Sequence, residues 1–144
     1  MGFQLDNIQT TKKNHNNSSK GTSFLQREIT LFGSSFSNKV KEDFYTELGV
    51  LLKAGITLKN SLELIEEALK KSSQKQIVHT IYEDVISGNS LSEAIKNHNV
   101  FTEYEYYSIK IGEETGTLTE VAIQLSQFYY RKNEQRRQLI SALT

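Results

Sequence analysis

The chain has no cysteine and no proline in its 144 residues. Without thiols it forms no disulfide and no thiolate metal site, a composition that fits a reducing compartment. Without proline, helices run on uninterrupted and glycine is the one strong breaker left. Excess charge is lacking as well. Lys and Arg number 17 and Asp and Glu number 17, so no overall field points to nucleic acid or to an acidic partner. The longest apolar run lies around residues 48–52, far short of the roughly 20 residues a membrane-spanning helix needs. Phe3, Leu5 and Ile8 near the start do not make the continuous apolar stretch of a secretory signal. What remains is a chain that is 37% apolar, on the low side for a globular protein but enough for the modest core of one domain.

The first stretch is polar, as in Lys13-Asn14-His15-Asn16-Asn17-Ser18-Ser19-Lys20. Such a segment cannot bury enough surface to offset the entropy of ordering it. Residues 1–36 are therefore expected to be mostly a disordered tail, with a short, more apolar arm over 24–33. From Ser37 onward the apolar spacing becomes helical. Val40, Phe44, Leu48 and Leu51 define a first face, Leu58, Leu62, Ile65 and Leu69 a second, and Ile77, Ile81 and Val85 a third. Leu91, Ala94 and Ile95 mark a short fourth helix, and Tyr104, Tyr107, Ile109 and Ile111 a fifth ending at Ile111. The sixth carries Val121, Leu125 and Phe128 and runs without a breaker to Thr144.

A Gly-(x)-Ser/Thr-Leu hinge recurs three times: Gly55-Ile56-Thr57-Leu58, Gly88-Asn89-Ser90-Leu91 and Gly116-Thr117-Leu118. Each supplies a residue for the left-handed region, a cap and an apolar anchor. Ser90 with Glu93, Thr102 with Glu105, and Thr117 with Glu120 have capping-box spacing. The prediction is an all-α six-helix bundle over 37–144 with short glycine-containing turns. Gly112 and Gly116 are read together as the turn that lets the last two helices pack antiparallel.

Catalytic sets are missing. His15, His79 and His98 have no partner at zinc-site spacing. There is no Gly-x-Ser-x-Gly elbow, and Gly112-x-x-x-Gly116 lacks the Lys-Ser/Thr ending that cradles phosphate. The expectation is a non-enzyme with no cofactor and no metal. Five acids, Glu103, Glu105, Glu113, Glu114 and Glu120, face only Lys110 between Phe101 and Glu120. Convergence on a hard cation such as calcium is one reading; a solvated acidic patch is the default, since acids are favoured in a first helical turn anyway. Glu113 and Glu114 stand out as acids the local fold does not demand, and so as first choices for a partner contact or a weak cation site. Tyr104, Tyr106, Tyr107, Tyr129 and Tyr130 read as rings covering the core with hydroxyls at the surface, with an interface as the alternative. Residues 131–137 hold Arg131, Lys132, Arg136 and Arg137 against Glu134, and Leu139, Ile140, Ala142 and Leu143 follow. Basic residues before an apolar turn are what precedes a membrane span on its cytoplasmic side. The spread over one face of a compact helix-turn-helix unit that would mark a nucleic-acid reader is absent.

From about Phe44 to Thr144 the chain resembles the type II secretion system F domain, shared by secretion F proteins and the PilC-type proteins of type IV pili. The residues that carry the resemblance are Phe44-Tyr45-x-x-Leu48 with Leu51-Leu52-x-Ala54-Gly55-Ile56-x-Leu58, then Gly88-x-Ser90-Leu91-x-x-Ala94-Ile95, then Gly112-Glu113-x-x-Gly116-x-Leu118. The resemblance implies an inner-membrane platform protein, not itself an enzyme, with two six-helix cytoplasmic domains of which this is the first. Its implied partners are an assembly ATPase, other inner-membrane components and pilin-like subunits, and its implied place is the cytoplasmic face of the bacterial inner membrane. Residues 131–144 then form a juxtamembrane helix end, with the membrane reached through residues after Thr144, as in a soluble fragment cut before the first membrane helix. A homodimer stays open. The alternative from the residues alone is a soluble helical adaptor or regulator, of which a nucleic-acid binder is one form, while the partners expected of this chain include no nucleic acid.

Overall fold

A computed structural model describes residues 36–144. The expected polar tail and the arm over 24–33 lie outside the described residues. Among those residues there are six helices and no strand: α1 (Asn38–Lys53), α2 (Leu58–Ala68), α3 (Ser72–Ile86), α4 (Leu91–Lys96), α5 (Glu103–Thr115) and α6 (Leu118–Leu143).

The local code of the hinges explains where the helices stop. Gly55 and Gly88 sit at φ 85° and 102°, conformations that side-chain-bearing residues rarely adopt. After α1, Ile56 N–H donates to Leu51 O and Gly55 N–H to Leu52 O, both at 3.0 Å, the paired bonds of a Schellman ending. After α3, Asn89 and Gly88 repeat the pattern on Asp84 and Val85. Ser37, Thr57, Ser90 and Thr102 then cap α1, α2, α4 and α5 by accepting from the amide three residues on. Without those caps each helix would lose about 1 kcal/mol.

The helices pack in a ring that follows chain order, each on the next, and α1 closes it against α6 through the broadest contact in the fold. That closing seam is antiparallel. Asn133 Nδ2 donates to Asn38 O (3.2 Å) and Glu42 Oε1 (3.1 Å), Thr46 Oγ1 and Ser126 Oγ share a hydrogen bond of 2.6 Å, and Gly49 lies against Ala122 and Ile123. Leu48, Leu62, Val78, Ile81, Leu91, Ala94, Ile95, Ile109 and Leu125 fill the middle, almost wholly buried. Each full-sized aliphatic there is stabilising by about 1.5–3 kcal/mol. Phe36, one residue before the expected start of the body, joins this core. Its ring centroid lies 5.9 Å from that of Phe44 and 5.4 Å from that of Phe101.

Three expected faces are rotated. In α3 the fully buried positions are Val78 and Ile81, with Gln74 nearly so, while Ile77 and Val85 are only partly covered. The break before α3 lies at Leu69–Lys71, and Ser72-Ser73 open the helix itself. In α5 the buried face is Glu105, Ile109 and Gly112, and Tyr104, Tyr107 and Ile111 point to solvent. In α6, Val121, Ala122, Leu125 and Tyr129 face inward, with Phe128 at the margin. The tyrosines accordingly divide. Tyr45 and Tyr129 are core residues, Tyr106 is half-buried, and Tyr104, Tyr107 and Tyr130 are exposed.

Candidate docking surface

The acidic corner between α5 and α6 is built differently from the expected turn. α5 continues through Gly112 to Thr115, and Gly116 alone takes the left-handed conformation, at φ 69°. Gly112 is an interior helical residue. A Cβ there would meet Val121 Cγ2 at 2.8 Å and Leu118 Cα at 3.2 Å, so its hydrogen is what lets α5 and α6 approach so closely. Thr117 does not cap α6. At φ −117°, ψ 29° it is not extended, and its Oγ1 lies 2.8 Å from Thr115 Oγ1 instead. The connection has only two residues, and the Thr117 amide is still engaged with Gly112 O at 2.8 Å. That geometry turns the hydroxyl away from the next helix.

Glu113 is half-buried and held from inside the fold. Its Oε2 accepts from Leu91 N (2.8 Å) and its Oε1 from Ser92 N (2.9 Å). A carboxylate thus neutralises the first amides of α4, where a helix leaves donors unsatisfied and its dipole favours negative charge. The Ser90 box is correspondingly half-formed. Ser90 Oγ accepts from Glu93 N at 3.2 Å, but the Glu93 carboxylate accepts from Tyr106 Oη. So the fold does demand Glu113, and Glu114 alone of the pair is left exposed to solvent.

Glu105 departs further from a solvated patch. It is fully buried and closes a complete capping box with Thr102. It also accepts from Lys41 Nζ (2.9 Å) and from Tyr45 Oη (2.8 Å). Lys41, itself 4% exposed, lies 5.2 Å from the Tyr129 ring centroid and 5.5 Å from that of Phe101. Burial first, and then the neighbouring Glu105 charge, push the hydroxyls of Tyr45 and Tyr129 well above their ordinary range. The backbones of α1 and α5 are not adjacent. Long side chains bridge them across the ring. A buried charge is tolerated when every lone pair is met, and here four donors converge on one carboxylate. Closed from solvent, the cluster can hold helices together and cannot meet a substrate. Neither Lys41 nor Tyr45 figured among the sequence's chemical candidates, since the one signal, a lysine in the first turn of an amphipathic helix, reads as a surface residue.

Among the described residues, no three His, Cys, Asp or Glu side chains gather so as to hold a metal ion. What the surface offers is contact area. A groove of about 340 Å³ opens along α1, floored by Phe36, Val40, Phe44, Ile65 and Leu69, with Asp43 and Glu47 at its edge. Partial burial, reinforced by Asp43, holds the Glu47 carboxyl above its usual range. At the far end of α6, residues 135–144 are exposed on every side, including Leu139, Ile140 and Leu143. No described helix is long and apolar enough to cross a membrane.

Comparison with known proteins agrees with these elements. Residues 44–144 match the model of the family described as type II secretion system (T2SS), protein F. The type IV pilus assembly protein PilC of Thermus thermophilus is 29% identical over 101 residues, covering 70% of this chain and 25% of the relative. The type II secretion system protein F of Aeromonas hydrophila is 26% identical over 98 residues, 67% of this chain and 25% of the relative. PilC of Pseudomonas aeruginosa is 27% identical over 123 residues, 83% of this chain and 33% of the relative. The chain thus spans about a quarter to a third of the length of these relatives. With the three glycine hinges and five of the six helices wholly inside the matched region, the chain belongs to the type II secretion system protein F family.

Proposed function

We propose that residues 37–144 are a cytoplasmic domain of an inner-membrane platform protein in a type II secretion or type IV pilus machine. In this reading the domain docks the assembly ATPase and couples it to the assembly of pilin-like subunits, and it works as a coupling part rather than an enzyme. The observation that carries the reading is α6. It is a single helix of 26 residues, about 39 Å long, anchored in the ring by its first half. It is basic at Arg131 and Lys132 beside Asn133, which still bonds α1, and then continues exposed on every side, basic at Arg136 and Arg137 and apolar at Leu139, Ile140 and Leu143. A basic segment followed by apolar residues suits a helix approaching a bilayer from the cytoplasmic side. The membership of the family and the names of the pilus and secretion relatives support the same reading.

Of the two corner acids, Glu114 is the one open to a partner, because Glu113 is engaged with α4. Capture of the cognate assembly ATPase on immobilised protein tests the docking. Retention of the ATPase, weakened by Glu114→Lys with the helical signal intact, is the expected outcome. An ATPase that is not retained at low salt, with or without nucleotide, overturns it. The native coding sequence after Thr144 tests the membrane part. It should encode a span of about 20 apolar residues, and its absence would refute that part of the reading.

A further inference from the structure

The cations at the far end of α6 are sorted by partner. Within residues 131–144 the one acid is Glu134, and it is already joined to Arg137 in an ion pair. Arg131, Lys132 and Arg136 are exposed and make no ion pair among the described residues. Lys132 Nζ rests 5.0 Å from the Phe128 ring centroid, a contact that leaves its charge uncompensated. Just beyond, Leu139, Ile140 and Leu143 are 63%, 51% and 80% exposed. Open cations followed within a turn by uncovered aliphatic side chains match the two layers of a lipid surface, anionic headgroups outside and acyl chains beneath. A nucleic acid or a free phosphate offers the first layer only.

The helix also fixes how such a surface is met. Lys132, Arg136, Leu139, Ile140 and Leu143 follow Tyr129 at steps of three and four, so they continue one row. That row is the one the ring buries higher up, at Val121, Leu125 and Tyr129. A helix laid flat with this row on a bilayer would push the ring into the lipid, so α6 must stand steeply with the bilayer beneath the ring. Upright, Arg136 lies about 10 Å above Leu143, comparable to the depth an interfacial helix reaches. We propose that the end of α6 binds anionic phospholipid headgroups through Arg131, Lys132 and Arg136 and seats Leu139, Ile140 and Leu143 at the acyl boundary. This contact rests on the membrane reading of α6 given above and adds to it the class of lipid and the residues that bind it.

Sedimentation of the full chain with vesicles tests it. Phosphatidylcholine vesicles carrying one-third phosphatidylglycerol should retain the chain at low salt and release it at high salt, and pure phosphatidylcholine should not retain it. Arg131→Gln, Lys132→Gln and Arg136→Gln should each weaken retention about fivefold, the weight of one cation near an anionic surface. Lys53→Gln should change it less than about twofold, because exposed Lys53 ends α1 at the opposite edge of the ring. Leu139→Ser with Leu143→Ser should weaken it about tenfold or more, with helical circular dichroism confirming the fold. No retention at low salt overturns the proposal, as do equal losses at Lys53 and Arg136, undiminished retention of the double serine variant, or duplex DNA held as tightly as the vesicles. The chain has no cysteine, so single thiol labels at Ile140→Cys and Ser141→Cys, on opposite sides of α6, report its stance. A lipid-borne quencher should reach both alike, and a strong excess at residue 140 overturns the upright stance. A span encoded after Thr144 without vesicle binding leaves the platform reading standing and refutes this contact, and vesicle binding without a span does the reverse.

Discussion

Glu105 and Glu113 are eight residues apart on one helix, and both bind main-chain amides, yet their surroundings differ in kind. Glu105 caps its own helix from three residues away, lies fully buried, and carries Lys41 and Tyr45 with it. Glu113 reaches across the fold to the first amides of α4, more than 20 residues earlier in the chain, from a half-exposed position. The first carboxylate is part of the core and the second is a brace at its edge. A glutamate's part in a fold is thus set by what would be stranded if it left: around Glu105 a buried ammonium, around Glu113 the first two amides of α4, neutral donors on buried residues.

The largest test of that contrast is Glu105→Ala. It leaves the Lys41 charge buried without its partner, and stability should fall by about 3–5 kcal/mol, measured by urea unfolding. Replacing both partners, Lys41→Met with Glu105→Leu, should cost less than Glu105→Ala alone, because no orphaned charge remains. A double variant as unstable as the sum of the two single ones would show that the cluster contributes more than paired burial. Next in size is Gly112→Ala at the corner. Alanine favours the helix by about 1 kcal/mol, but the new methyl meets Leu118 Cα and Val121, and backbone yields little. The expected net loss is about 1–2 kcal/mol, read as a lower thermal midpoint, whereas a gain would mean α5 and α6 separate easily. The smallest effects lie at the paired acids. Glu113→Gln, which keeps an acceptor but removes the charge, should cost about 1 kcal/mol, and Glu114→Gln should stay within about 0.5 kcal/mol of the parent. Equal losses at the two positions would erase the distinction between brace and surface acid.

The helices and most of their ends were legible because their causes are local. Gly55, Gly88 and Gly116 announce left-handed endings, and Ser37, Thr57, Ser90 and Thr102 announce starts, each within a few residues of its effect. The inward face of α5 was not legible. Hydrophobic spacing places Tyr104, Tyr107 and Ile111 inside, and the fold instead takes in Glu105, whose burial is made tolerable by a lysine 64 residues away. No window along the sequence contains both groups. Gly112 misleads for a related reason, since a glycine kept for close helix contact and one kept for positive φ look alike until the neighbouring helix is in place. Thr117 has the right spacing for a cap and the wrong backbone, because a two-residue connection leaves no extended position for it. For the candidate partner surface, the sequence identified Glu114 together with Glu113 but had no means of separating them, since what separates them is α4.

The antiparallel seam between α1 and α6 has a mechanical consequence. Asn38 and Glu42, at the start of α1, lie against Asn133, just before α6 leaves the ring. The free end of α6 therefore departs from the edge of a long, flush joint. A pull directed along that helix loads the joint in shear, so the contacts at Asn133, Ser126 and Gly49 bear the load together. A sideways pull would unzip them one after another from Asn133 inward. The same joint therefore meets a load along α6 with all of its contacts at once and a sideways load with only the edge at Asn133.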